Sequence, residues 1–126
     1  MARPVCLDTN IIIDILNNKS KTLALIASLD ADYYTTSINV FEGWRGHRQG
    51  EETMNLLDKL KILDFDNKSA LLAADIDKKL IESGHIIDFR DLFIGAVCIM
   101  NEVSLLTLNQ KHFERMKKFG LKLINF

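Results

Sequence analysis

Four carboxylates stand where their types and spacing could do chemistry: Asp8, Glu42, Asp88 and Asp91. Asp8 follows the apolar run Val5-Cys6-Leu7 and precedes Ile11-Ile12-Ile13, a strand-to-helix junction. An Asp there can cap the helix, although Thr9 or Asn10 could do so and leave Asp8 free. Glu42 shares a helical face with Ile38 and Arg45, among Val40, Phe41 and Trp44. It reads either as half of a surface ion pair with Arg45 or as a partly buried carboxylate, which needs a partner such as a cation. Asp88 and Asp91 open an apolar run from Leu92 to Met100. Asp88 suits the cap and Asp91 the first turn, where an acid complements the helix dipole. Leu92, Phe93, Ile94 and Ala96 around Asp91 read as buried, so the dipole alone does not account for it. Three acids converging at one edge would bind a hard divalent cation such as Mg²⁺ or Mn²⁺, which takes carboxylate and water oxygens. Such an ion polarises a phosphodiester and activates a water. Zinc spacing is missing: His47, His85 and His112 are scattered, and Cys6 and Cys98 form no CxxC and read as buried free thiols.

The elements that must position these acids alternate. Val5–Leu7 reads as a strand and the stretch to Leu16 as a well-buried helix; Ser20 can cap a second helix. After a break at 30–32, Tyr33–Thr36 is rich in β-formers. Ser37 can cap a helix over 38–48, and 51–60 is helical. Lys61–Phe65 reads as a strand, and Asn67 opens a helix to about Ser83, stopped by Gly84. A helix over 88–102, a strand over 104–108, a basic helix Gln110–Lys118 and a last strand Leu121–Phe126 complete the pattern. Strands separated by one or two helices argue a parallel sheet covered on both faces. Ligands in such sheets lie beyond the carboxyl ends of the strands. Asp8 and Asn109 fall at two such ends, and Asp91 opens a helix, so the groups can meet there.

The totals fit this plan. A chain of 126 residues, 48% hydrophobic and 26% charged, is expected to form one domain over 1–126. No apolar run approaches the ~20 residues of a membrane span. The start, MARPVCLDTN, lacks a signal-peptide layout, so a cytoplasmic location is expected. The net charge of −1 conceals an asymmetry: residues 64–108 carry eight acids and four Lys/Arg, whereas 109–126 carry one acid and five. An acidic middle beside a basic tail suits a cation site next to an anionic ligand.

These residues together resemble a known family. Leu7-Asp8-Thr9-Asn10 after the first strand, Glu42 in the third helix, Asp91-Leu92-Phe93-Ile94-Gly95-Ala96, and Leu106-Thr107-Leu108-Asn109 followed by His112-Phe113 look like the PIN domain, in particular the small VapC-type toxins of toxin–antitoxin pairs. The resemblance covers essentially the whole chain, with the motifs in order. It implies a three-layer α/β/α sandwich with a mostly parallel sheet of four to five strands. It implies a Mg²⁺- or Mn²⁺-dependent endoribonuclease that works as a homodimer and meets an antitoxin near its acidic pocket. It makes Asp8, Glu42 and Asp91 the catalytic metal ligands. Asn109 holds the fourth metal position, where it can ligate an ion or a bound water without adding charge. Thr9, Asn10 and Thr107 become supporting or water-positioning groups, with Asp88 a further acid that could compensate.

The substrate class has support from the residues themselves. Arg45, Arg48, Lys111, His112 and Arg115 flank the acids in sequence and could offset phosphate charge. Trp44 and Phe113 could stack bases, although core packing is the plainer reading. Two other classes compete. One is a PIN-like module that binds RNA or an antitoxin and cuts nothing, motivated by Asn109. The other is a phosphate-handling receiver or phosphatase, read from Asp8-Thr9-Asn10, for which Lys111 is a poor match to the lysine required.

Overall fold

The fold is that of a computed structural model, which describes residues 2–46 and 50–125. Strand β1 (Arg3–Leu7) leads into α1 (Thr9–Leu16) and α2 (Ser20–Ser28). Then come β2 (Ala31–Thr36), α3 (Ser37–Gly46), α4 (Glu51–Lys59) and β3 (Lys61–Leu63). Two long helices, α5 (Asn67–Glu82) and α6 (Phe89–Met100), precede β4 (Ser104–Leu106), the short α7 (Gln110–Phe113) and a 3₁₀ segment, Glu114–Phe119.

All four strands are parallel, in the order β3-β2-β1-β4. The sheet is apolar on both faces because side chains alternate along each strand. Val5, Leu7 and Leu106 face one core with Ile11, Ile12 and Ile124. Cys6 and Leu105 face the other with Ala73, Ile76, Leu80, Ile94 and Cys98. Helices α1, α2 and α4 cover the first face; α5 and α6 cover the second. This is the expected α/β/α sandwich, with four strands.

The order of the strands determines where a ligand can sit. The chain moves outward from β1 to β2 to β3, then returns through α5 and α6 to place β4 on the opposite side of β1. The direction of winding therefore switches between β1 and β4, and the crevice beyond their carboxyl ends is the usual ligand position in such sheets. Asp8 and Thr107 are the first residues past those two ends.

Several boundaries differ from those read in the sequence. The strand expected over 104–108 stops at Leu106, because the Thr107 hydroxyl turns to Asp8 and also accepts the Asn109 N–H. With β4 this short, the expected last strand is reduced to one bridge, Leu105 to Leu123, flanked by hydrogen bonds to Lys122 and Ile124. The basic helix over 110–118 breaks into one α turn and the 3₁₀ segment, which closes at Gly120 with φ 109°. The strand expected over 61–65 ends at Leu63, and the Phe65 N–H is taken by the Ser37 hydroxyl. Ser37 consequently does not cap α3. Thr36 does: its hydroxyl accepts the Asn39 N–H at 3.1 Å. Nor does Ser20 cap α2, which starts at that residue with no side-chain cap at Lys19.

Candidate metal and nucleic-acid site

Asp8, the first residue past β1, is 5% exposed. It is the cap of α1, its Oδ1 accepting the Thr9 N–H at 2.8 Å. The same oxygen accepts the Asn39 amide at 2.9 Å, while Oδ2 accepts the Thr107 hydroxyl at 2.7 Å and, more loosely, the Asn10 amide at 3.4 Å. Four donors nearly exhaust the lone pairs of one carboxylate. The capping role and the site role, separate alternatives in the sequence, are thus held by one side chain. An ion reaching Asp8 would most cheaply displace the long Asn10 contact.

Asn39 was not foreseen among the site residues. It is buried, and its side-chain carbonyl accepts the Thr36 hydroxyl at 2.7 Å while its amide donates to Asp8 and to Thr9 Oγ1. The signal was present as Thr36-x-x-Asn39 at a strand-to-helix junction. Thr9 in turn donates its hydroxyl to Glu42 Oε1 at 3.0 Å, which links β1, β2 and α3 through one polar chain.

Glu42 projects from α3 with its side chain 19% exposed. Its ion-pair partner is Arg90, at 3.6 Å, and not Arg45. Arg45 instead lies over the Phe41 ring at 5.2 Å. Arg90 is the second unforeseen residue. It sits between Asp88 and Asp91 in sequence, and its Nε lies 3.4 Å from Asp88. Asp88 caps α6 by accepting the Arg90 N–H at 2.9 Å, as its spacing suggested. Asp91 stands in the first turn, its side chain 20% exposed, with Oδ2 3.3 Å from His112 Nδ1.

The electrostatics join the three acids. Burial raises the Glu42 carboxyl above its ordinary range, and the charges of Asp8 and Asp91 raise it further against the opposing hydrogen bond from Thr9 and the Arg90 charge. Burial likewise raises Asp91, helped by Asp8 and Asp88 and opposed by His112. Two part-buried carboxylates raised by burial and by the neighbouring charge of Asp8 mark a corner where Arg90 and His112 offset only part of the repulsion. Asp88 departs in the other direction: the Arg90 N–H and guanidinium hold it below the usual range.

Among the described residues, no three His, Cys, Asp or Glu side chains already close round one point as an ion cage. The donor set nevertheless fits a hard divalent ion: oxygens only, mutually repelling, with Arg90 drawn towards them. Such ions keep several waters and need few protein ligands. Asn109 is exposed and makes no side-chain cap bond to α7, while its N–H is held at 3.0 Å by Thr107. Asn10 is tied to the same loop, its carbonyl accepting the Leu108 N–H at 3.1 Å.

Of the expected cationic residues, Lys111, His112 and Arg115 line a cleft of about 280 Å³ together with Asp88 and Asp91. Arg45 is not among its walls, and Arg48 lies outside the described residues. Phe113 is fully buried in the core and cannot stack a base. Trp44 is partly exposed over an apolar groove with Val40, Met54, Leu57 and Ile62.

The switch point between β1 and β4, with Asp8, Glu42 and Asp91 near it and Thr107-Leu108-Asn109 after β4, agrees in topology with the PIN-domain resemblance drawn from the sequence. Residues 5–119 match the model of that family, and the chain belongs to it. Its relatives include Ribonuclease VapC1 of Methanocaldococcus jannaschii, 32% identical over 120 residues that cover 94% of this chain and 85% of the relative. Ribonuclease VapC3 of the same organism is 38% identical over 91 residues, 72% of this chain and 94% of the relative. Among solved structures, VapBC2 from Rickettsia felis, bound to a DNA fragment from its promoter, superposes with a TM-score of 0.78 at 27% identity, covering 98% of each chain. FitAcB from Neisseria gonorrhoeae shares the fold, with a TM-score of 0.79 at 24% identity and 96% of each chain covered. No helix among the described residues is long and apolar enough to cross a membrane.

Proposed function

We propose that this chain is a divalent-metal-dependent endoribonuclease and the toxin of a toxin–antitoxin pair, with Asp8, Glu42 and Asp91 as the acids that hold the ion. The observation that carries the reading is the corner itself: three carboxylates from separate elements at the switch point of a parallel sheet, with Glu42 and Asp91 raised first by burial and then by the charge of Asp8. Its support from relatives is that curated proteins at 32% and 38% identity are named ribonucleases. A bound Mg²⁺ or Mn²⁺ supplies Lewis acidity and a more acidic water.

The chain's own residues do the rest. Thr107, Asn39 and the Thr9 N–H fix the Asp8 carboxylate so that it cannot rotate away. Thr9 orients Glu42 through its hydroxyl. Asn109 offers a neutral oxygen in the fourth position, so the site carries one charge fewer than four carboxylates would give. Lys111, Arg115 and Arg90 surround the acids with positive charge that offsets the repulsion between carboxylates and an RNA backbone. By analogy with the family, water forms the new P–O bond as the P–O3′ bond breaks and O3′ leaves and takes up a proton, which gives a 5′-phosphate and a 3′-hydroxyl. An antitoxin partner and a homodimer belong to the same proposal, the first supported by the likeness to VapBC2, VapBC being a family of toxin–antitoxin systems.

The test is cleavage of a 5′-labelled structured RNA with Mg²⁺ and with EDTA, followed by analysis of the product ends. Metal-dependent cuts that leave 5′-phosphates, and that vanish in Asp91→Asn, are the expected result. Cyclic phosphate ends, or cutting undiminished by EDTA, would overturn it. Unchanged RNA bound equally with and without the ion would favour a non-catalytic binding module.

A further inference from the structure

The cleft that Asp88 and Asp91 help to line has two further, unlike walls. One is basic: Lys111 and His112 from α7 and Arg115 from the 3₁₀ segment. The other is the link between α5 and α6, residues 85–87, which contributes His85, Ile86 and Ile87. Ile86 is 91% exposed, a large apolar side chain with no packing role of its own. The link is nonetheless held in shape. Gly84 takes φ 79°, donates its N–H to the Ile81 carbonyl, and lets the His85 N–H return to the Leu80 carbonyl at 2.8 Å. The apolar wall is therefore presented by a fixed helix end.

The two walls ask for different parts of one ligand. His112 is engaged with Asp91, but Lys111 and Arg115 have no carboxylate at ion-pair distance among the described residues. They are available to an anion. Ile86 and Ile87 offer an apolar face that a flat ring would cover and a phosphate would not. At about 280 Å³ the cleft lies near the lower limit of small-molecule pockets, room for one nucleotide and too little for paired ones. Bases in a duplex hide their faces by stacking, whereas an unpaired base can be splayed onto a protein wall.

We infer that this cleft is a mononucleotide subsite: it takes an unpaired nucleotide next to the scissile phosphodiester, its phosphate on Lys111 and Arg115 and its base against Ile86 and Ile87. The inference rests on the nuclease reading for the word scissile, while the binding itself does not. It gives the site a side. The strand enters over the α7 wall beside Asp91, and the acids that follow meet the next phosphate along.

The experiment uses ligands that have no phosphodiester to cut, so that binding and catalysis are separated. The whole chain is titrated with AMP, adenosine and inorganic phosphate, with Mg²⁺ and with EDTA, and followed by amide chemical shifts. AMP is expected to move the amides of 85–87 and 111–115 together, phosphate those of 111–115 alone, and adenosine those of 85–87 alone. Lys111→Gln with Arg115→Gln should weaken AMP about tenfold, the effect of a lost charge-assisted contact. Ile86→Ser, at an exposed position that folding does not need, should weaken AMP and leave phosphate unchanged. Equal affinity for phosphate and AMP would reduce the cleft to an anion patch and overturn the inference. So would an Ile86→Ser chain that changes oligomeric state while AMP affinity is kept, since the wall would then belong to a second copy. Metal-dependent RNA cutting with no AMP binding in the cleft would sink the subsite and leave the nuclease standing; the reverse pattern would do the opposite.

Discussion

At the scale of single residues, the site depends on groups that hold acids as much as on the acids. Asn39 is buried and bonded to Thr36, Asp8 and Thr9 at once. Asn39→Ala should lower stability by about 1–3 kcal/mol, the cost of buried polar partners left unpaired. Supporting residues of this kind typically change metal affinity by about 10–100-fold, so Mn²⁺ binding followed by electron paramagnetic resonance should weaken on that scale. Full-strength binding in a stable Asn39→Ala chain would show that Asp8 needs no such support. Arg90 should act in the opposite direction. It occupies Glu42 with a guanidinium at 3.6 Å, and an ion must compete with it. A half-exposed pair of this type is worth well under about 1 kcal/mol, so Arg90→Gln should tighten Mn²⁺ by about two- to fivefold. Weaker binding in that variant would mean that Arg90 helps to assemble the site. Asp8, Glu42 and Asp91 were legible in the sequence because each is an acid in an apolar setting. Asn39 and Arg90 were not, because an uncharged amide and a cation among acids carry no such contrast.

At the scale of elements, the site is placed by short strands and by helix starts. Asp8 and Asp88 cap α1 and α6, and Thr36 caps α3. The junctions at Asp8 and Asp88 were legible from polar residues meeting apolar runs, whereas the α3 cap was expected at Ser37 and falls one residue earlier. The end of the chain was less so. Basic residues over 110–118 have helical spacing, but the segment is tightened into a 3₁₀ turn where Met116 must reach under α6. Gly95 permits that approach: a Cβ there would collide with Sδ and Cε of Met116, which is fully buried. Gly95→Ala should therefore destabilise the chain by about 1–3 kcal/mol in urea unfolding, the usual cost of overpacking. Loss of the Gly95→Ala penalty in a Met116→Ala background would tie it to that contact. A neutral Gly95→Ala would show that Met116 has room to swing aside. The alternation of Val5, Cys6 and Leu7 between two cores explains why a parallel, twice-covered sheet could be read from the sequence. The returning path to β4 could not, since no local pattern encodes which edge a strand joins.

At the scale of the whole molecule, Glu42 and Asp91 couple stability to protons, and the site as a whole couples it to metal. The folded chain holds Glu42 and Asp91 with raised pKa values. Groups of this sign favour folding while protonated, and the advantage is lost as pH rises through their raised values. In EDTA, the contribution of these two acids to thermal stability should thus decline as pH rises from the ordinary carboxylate range through their raised values. Asp88, held low, contributes in the opposite sense: its stabilisation is present above the ordinary range and lost as pH falls. With Mn²⁺ the upper loss should be reversed, because an ion that binds the deprotonated acids replaces their protons. Identical melting profiles against pH with and without Mn²⁺ would argue that no ion is held by these acids. Part of the unequal charge of the acidic middle and basic tail meets in space, with Asp88 and Asp91 facing Lys111 and Arg115 in one cleft.

One measurement bears on the central claim most directly: cleavage of a panel of structured RNAs by the wild-type chain and by Asp8→Asn, with Mg²⁺, Mn²⁺ or EDTA. Cutting by the wild type that requires the ion and is lost in Asp8→Asn, with the variant still folded, is expected. Cutting that survives both EDTA and Asp8→Asn would contradict a metal-dependent nuclease centred on Asp8.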